Sequence, residues 1–117
     1  MRYQFQLKKL LIVASAAAVF AFSAGAIAAV DEDAAKALAR ENSCFKCHSV
    51  SKDKDGPAYK KVAEKYRGKA NAEERLITHI TTGEKAKFPD GHEEDHKIIN
   101  TKDMAQIKNL VDWILSR

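Results

Sequence analysis

The chain has 117 residues, of which 20 are basic and 16 acidic, for a formal charge of +4 at neutral pH. Residues 1–28 hold three of the basic side chains and no acidic ones, so residues 29–117 keep 17 basic and 16 acidic side chains, a formal charge of +1. This near balance removes support for a nucleic-acid-binding function, and the remaining length allows one small domain.

Residues 1–28 predict a cleaved signal peptide. The apolar run from Leu10 to Phe22 is interrupted only by Ser15 and leads to an A-x-A site, Ala26-Ile27-Ala28. The basic residues that precede the run are Arg2, Lys8 and Lys9. A retained membrane anchor is the alternative, but the run is shorter than the roughly 20 residues of a spanning helix. We therefore expect a periplasmic domain of residues 29–117 with no membrane span.

The first predicted helix starts near Asp31 or Asp33 and ends near Asn42, because acidic side chains favour a helix N-terminus. Its apolar face is predicted to hold Ala34, Ala35, Leu38 and Ala39.

The motif Cys44-Phe45-Lys46-Cys47-His48 follows and has the spacing that attaches a c-type haem. Cys44 and Cys47 would form thioethers, and His48 would place an imidazole nitrogen under the iron. A tetrahedral zinc site needs about four ligands, and the only further nitrogen donors are three histidines. A thioredoxin-like pair needs an α/β context, and no strand pattern surrounds the motif. The motif therefore predicts one covalent haem, without which we expect the protein to be poorly folded.

Three further helices complete an all-α prediction. The second runs from Pro57 to Arg67 and stops at Gly68. The third is capped by Asn71 in a loose capping box with Glu74, and ends at Gly83. The last starts at Thr101 or Asp103 and runs to the C-terminus. Their predicted inward-facing residues are Tyr59, Val62, Ala63, Tyr66, Leu76, Ile77, Ile80, Ile107, Leu110, Val111, Trp113, Ile114 and Leu115.

Between the last two helices, residues 84–100 form a long, polar segment with a turn at Pro89-Asp90-Gly91. Long connections of this kind usually have a function.

These segments together resemble the small bacterial class I c-type cytochromes, of the monohaem periplasmic kind. The resemblance covers nearly all of residues 29–117. It rests on the haem motif, on Gly56-Pro57-Ala58-Tyr59-Lys60, on Val62–Tyr66 and Leu76–Gly83, and on the closing Leu110-Val111-Asp112-Trp113-Ile114-Leu115. It implies about four helices around one haem, with the first and last helices crossing, and the function of a soluble one-electron carrier.

The second axial ligand is where this chain departs from the family, which uses a Met before the last helix in a Pro-Met-Pro-Pro-Asn setting. Aligning on Asn100 and Trp113 places Lys97 at that position, with His96 beside it. His96 is the favoured iron ligand, since neutral imidazole binds iron well. Met104, Lys97, His92 and water remain alternatives. By the same resemblance, Pro57 and His79 belong to the haem site, His79 at a basic position that meets a haem propionate in relatives.

Lysines dominate the segment around the motif and predict a positive surface that would attract acidic redox partners. The basic residues are Lys46, Lys52, Lys54, Lys60, Lys61, Lys65, Arg67 and Lys69. An ordinary solvated face is the alternative. No nucleophile–base pair, carboxylate pair or phosphate loop is recognisable, so we do not expect an enzyme. The competing hypotheses are a haem protein that binds, senses or reacts with a small ligand at a displaceable sixth position, and a haem subunit of a larger oxidoreductase.

Overall fold

A computed structural model describes residues 29–117 and, before them, residues 18 and 19. The predicted signal peptide therefore lies outside the described residues, apart from those two. The described chain forms four helices: α1 (Glu32–Glu41), α2 (Tyr59–Tyr66), α3 (Ala72–Thr82) and α4 (Met104–Leu115). A 3₁₀ turn at Cys44–Lys46 follows α1. The prediction of an all-α fold with four helices is confirmed.

Side-chain caps define the beginnings of α1 and α4. Asp31 accepts a hydrogen bond from the backbone N–H of Ala34, and Asp103 accepts from those of Ala105 and Gln106. Each carboxylate satisfies backbone donors that have no partner within the helix. At the start of α3, Asn71 occupies the cap position but its side chain makes no capping hydrogen bond, so the predicted capping box is wrong.

The second helix begins at Tyr59, two residues later than predicted. The Asp53 carboxylate accepts from the Ala58 N–H at 2.9 Å, and the Ser49 carbonyl accepts from the Tyr59 N–H at 2.9 Å. These bonds hold residues 57 and 58 in an extended conformation, with Ala58 at ψ 142°. Partners outside the helix thus determine where α2 starts.

The segment between α3 and α4 contains a short hairpin that the sequence did not predict. Strand β1 (Lys85–Lys87) pairs antiparallel with β2 (Glu93–Asp95), with Lys85 opposite Asp95 and Lys87 opposite Glu93. The Lys85 ammonium lies 2.7 Å from the Asp95 carboxylate. Opposite charges face each other at both ends of the ladder, which favours this register.

The core forms where α1, α2 and α3 each pack against α4. Trp113 and Val111 are fully buried at its centre, and the Asn109 side chain exchanges two 2.8 Å hydrogen bonds with the backbone of Asp31. The predicted inward positions are buried or half-buried, except Ala34, which is exposed. The buried core residues are Ala35, Leu38, Ala39, Tyr59, Leu76, Ile99, Ile107, Leu110, Val111, Trp113 and Ile114.

Candidate cofactor site

The Cys-x-x-Cys-His motif forms a tight turn directly after α1. Ser43 adopts a left-handed conformation, φ 57°, and the Cys44 carbonyl accepts from the N–H groups of Cys47 and His48 at 3.3 and 3.0 Å. Both cysteines are half-buried and form no disulfide with each other, and burial raises the pKa of the Cys44 thiol. The turn brings both sulfurs and the imidazole to one side of the chain, where all three line the same cavity.

Asn42 connects this turn to the segment before α4. Only 2 % of its surface is exposed, and its side-chain oxygen accepts from the Asn100 N–H at 2.9 Å. Its side-chain nitrogen donates to the Leu38 carbonyl. Nothing in the sequence pattern marks Asn42 for this role, because its partner lies 58 residues away.

The His48 ring is held from three sides. Its Nδ1 donates to the Pro57 carbonyl at 2.7 Å, and its ring stacks on Tyr59 with centroids 5.0 Å apart. A Cβ at Gly56 would lie only 2.5 Å from His48 Cε1. Burial lowers the pKa of the His48 imidazole, so the ring is neutral at pH 7. With Nδ1 donating to a carbonyl, the lone pair is on Nε2.

His96 also lines the cavity, and its ring has a matching hydrogen bond. Its Nδ1 donates to the Lys97 carbonyl at 2.9 Å, and its backbone N–H donates to the Glu84 carbonyl at 2.9 Å. Burial, followed by the nearby His79, lowers the pKa of the His96 imidazole. The hydrogen bond again leaves the lone pair on Nε2.

The His48 and His96 ring centroids are 6.2 Å apart. Two metal–nitrogen bonds of about 2 Å, each extended by about 1.2 Å to the ring centre, would separate two imidazoles on one metal ion by roughly 6.4 Å. The observed spacing therefore fits a metal ion between the two histidines.

The cavity around these histidines measures about 420 Å³, within the roughly 300–1,000 Å³ that is usual for ligand and cofactor sites. Its lining is mainly apolar, with contributions from Tyr59, Val62, Leu76, Ile80, Phe88, Ile99, Leu110, Val111 and Ile114. An apolar cavity lined by two cysteines and by two histidines at this spacing fits a covalently attached haem.

The other candidate ligands lie in different environments. Met104 is 50 % exposed and does not line the cavity. His92 is exposed, hydrogen-bonds to Asp90 and Glu94, and stacks on Phe88. The backbone of Lys97 lies beside His96, and Lys97 lines the cavity.

His79 and Pro57, the other predicted site residues, take different places. His79 lines the cavity, and its Nδ1 donates to the Glu84 carboxylate at 2.6 Å. Pro57 is not among the lining residues and contacts the His48 ring through its carbonyl. Sequence reasoning missed Gly56 and Glu84 as parts of the site. Within residues 29–117, no three His, Cys, Asp or Glu side chains are clustered to hold a metal ion.

Only Lys46, of the eight basic residues predicted to form a positive surface, lines the cavity. Lys61 pairs with Asp53, and Lys54 donates to the Phe45 carbonyl. Lys65 and Lys69 lie over the Tyr66 ring. The seven basic residues other than Lys46 thus lie on α2, in the loop before it or just after it.

Comparison with known proteins identifies the family. The Cytochrome c family model matches residues 32–117. Cytochrome c-551 of Allochromatium vinosum is 39% identical over 84 residues, which cover 67% of this chain and 80% of that protein. Cytochrome c2 of Rhodocyclus tenuis is 39% identical over 83 residues, 68% of this chain and 88% of that protein. The chain belongs to the cytochrome c family.

Solved structures extend the comparison to the fold. The crystal structure of Class 1 cytochrome MtoD from Sideroxydans lithotrophicus ES-1 has 76% identity and a TM-score of 0.73, over 75% of this chain and 97% of that one. Wild-type cytochrome c552 of Nitrosomonas europaea has 32% identity and a TM-score of 0.55, over 69% and 96%. The chain is thus a class I c-type cytochrome of the electron-transfer type, with one covalently attached haem c. Among the described residues, no helix has the length and apolarity to cross a bilayer.

Proposed function

We propose that this chain is a periplasmic one-electron carrier whose haem is attached through Cys44 and Cys47 and whose iron is bound by His48 and His96. The observation that supports the ligand pair best is its symmetry. Both rings donate Nδ1–H to a backbone carbonyl, and both face one cavity at a centroid separation of 6.2 Å. A second hydrogen bond that fixes the tautomer is characteristic of metal-binding histidines.

When bound, the haem supplies reversible one-electron oxidation and reduction at its iron. The chain's residues then have two tasks. Ile80, Ile99, Leu110 and Ile114 line the cavity with apolar surface that excludes water. Two fixed imidazoles would hold the iron in both oxidation states, so electron transfer would need little rearrangement. Nitrogen donors on both sides poise the potential lower than a Met/His pair does.

Two further residues complete the proposed site. Because Nδ1 of His79 donates to Glu84, its Nε2 would meet a carboxylate of the cofactor only as a second donor, with a proton on each ring nitrogen. Pro57 contributes through its carbonyl, which orients His48.

The partners in this proposal are redox proteins that present an acidic surface. Lys60, Lys65 and Lys69 are exposed on and just after α2 and have no carboxylate partner within residues 29–117. Their charges would steer an acidic partner towards the side of the domain that carries the haem motif. Residues 1–28 would direct the chain to the periplasm and be removed there. The mass of protein purified from that compartment should correspond to a chain beginning at Ala29 or Val30 with one haem attached.

Low-temperature spin resonance of the ferric wild-type protein tests the ligand pair. The expected spectrum is low-spin with two imidazoles, and the ferrous protein should not bind carbon monoxide. His96→Ala should open the sixth position and permit carbon monoxide binding, whereas Met104→Leu, the control, should change neither measurement.

Two results would contradict the proposal. A long-wavelength absorption band of sulfur–iron coordination that disappears in Met104→Leu would show that the sixth ligand is Met104 and not His96. Rapid carbon monoxide binding by the wild-type protein would favour the ligand-sensing or peroxidase hypothesis.

A further inference from the structure

Glu84 connects the helix that carries His79 with the segment that carries His96. It follows the end of α3 and precedes β1. One carboxylate oxygen accepts from Arg75 Nη1 and from His79 Nδ1, both at 2.6 Å. The Glu84 backbone carbonyl accepts from the His96 N–H at 2.9 Å. Glu84 itself does not line the cavity.

His79 lies between Glu84 and His96. The His79 and His96 ring centroids are 4.2 Å apart and the ring planes are tilted by 43°. A carboxylate can only accept a hydrogen bond, so Nδ1 of His79 carries the proton. Hydrogen bonds from Arg75 and His79 lower the pKa of the Glu84 carboxyl, which keeps it ionised. The orientation of His79 therefore depends on Glu84, and the packing around the His96 ring depends on His79.

We infer that Glu84 is a positioning residue: with Arg75 it fixes the His79 ring, which in turn holds the His96 imidazole towards the cavity. This inference rests on the proposed function, because it assumes that His96 is the sixth ligand. The Glu84 carbonyl anchors the backbone of His96, and the Lys97 carbonyl accepts from one edge of its ring, while the faces of the ring depend on side-chain neighbours. His79 is the neighbour on the α3 side.

The test uses the purified holoprotein and measures how fast cyanide displaces the sixth ligand of ferric iron. Glu84→Gln removes the side-chain charge but keeps the backbone carbonyl that binds the His96 N–H. The control Glu93→Gln removes a charge of the same sign from β2, where the side chain is exposed and does not line the cavity. Changes in the partners that orient metal ligands typically cost 10–100-fold in metal affinity or activity. We expect displacement to be about 10-fold faster in Glu84→Gln and to differ less than about twofold between Glu93→Gln and the wild type.

Arg75→Gln provides a second variant, since Arg75 is exposed and its loss should not prevent folding. It should accelerate displacement in the same direction as Glu84→Gln, while thermal unfolding shows that each variant is folded. Equal displacement rates in Glu84→Gln and Glu93→Gln would overturn the inference while leaving the ligand pair intact. If the wild-type protein itself does not show the spectrum of two imidazole ligands, the proposed ligand pair is refuted, and the inference with it.

Discussion

Replacing Gly56 with alanine should damage both the stability and the electronic state of the iron. The new Cβ would lie 2.5, 2.8 and 2.9 Å from Cε1, Nδ1 and Nε2 of His48, well inside van der Waals contact. The ring must therefore move, and it can do so only by giving up its hydrogen bond to Pro57 and its stacking on Tyr59.

The magnitude follows from these contacts. Overpacking a buried site costs about 1–3 kcal/mol, and losing one hydrogen bond costs about 1 kcal/mol more. We expect Gly56→Ala to lower the free energy of unfolding by about 3 kcal/mol and the Tm by roughly 12–24 °C for a domain of this size. Displacement of an axial imidazole should also produce a high-spin fraction in the ferric spectrum.

The assay combines guanidinium unfolding with spin resonance, and Gly68→Ala is its control. Gly68 has φ +77°, and a Cβ added there would have no neighbour within 4 Å, so alanine strains only the backbone, at about 1–2 kcal/mol. Gly68→Ala should lose stability without any change in the iron spectrum. The reasoning would be refuted if Gly56→Ala kept the wild-type spectrum, or if both variants altered it equally.

Three further predictions concern stability, pH and charge. Asn42→Ala should lower the free energy of unfolding in guanidinium by about 2–3 kcal/mol, because it leaves the backbone N–H of residue 100 without its partner. The control Asn71→Ala should change the free energy of unfolding by less than about 0.5 kcal/mol. Asp53→Asn should destabilise the protein at pH 7, because hydrogen bonds from a lysine and a backbone amide lower the pKa of the native carboxyl below its ordinary 3.8. The difference in unfolding free energy from the wild type should shrink as the pH falls below that value. A difference that stays constant with pH would contradict this prediction. The double variant Lys60→Glu/Lys65→Glu should slow oxidation by anionic iron hexacyanide and weaken its salt dependence, measured by stopped flow; an unchanged rate would show that the basic surface does not steer reactants.

The sequence was sufficient for the features that depend on local chemistry. The apolar spacing of Ile107, Leu110, Val111 and Ile114 predicted the buried face of α4. Its start was predicted at Thr101 or Asp103, and Asp103 is the cap. The Cys44–His48 spacing predicted the cofactor, which the family match confirms. Each of these features involves residues within a few turns of one another, where periodicity and capping rules apply.

The missed features depend on contacts between distant segments. The sequence did not single out Gly56 as a site residue, and only its approach to the His48 ring shows why a side chain is excluded there. The start of α2 depends on Asp53 and Ser49 in the preceding loop. Strands β1 and β2 have three residues each, too few for an alternating pattern to stand out.

The segment that carries His96 shows how an irregular segment can be held in place without proline. The last proline of the chain is Pro89, at the turn of the hairpin, so the order of the following residues has another source. The His96 N–H donates to the Glu84 carbonyl, and the Ile99 N–H donates to the Ile80 carbonyl, both at 2.9 Å. These two bonds fix the backbone on either side of Lys97 to the end of α3 and to Glu84 beyond it. Since α3 also supplies His79, whose ring centroid lies 4.2 Å from that of His96, the end of α3 and Glu84 together contact both the backbone and the ring of His96. These contacts explain how an imidazole in an irregular segment can lie close to His48.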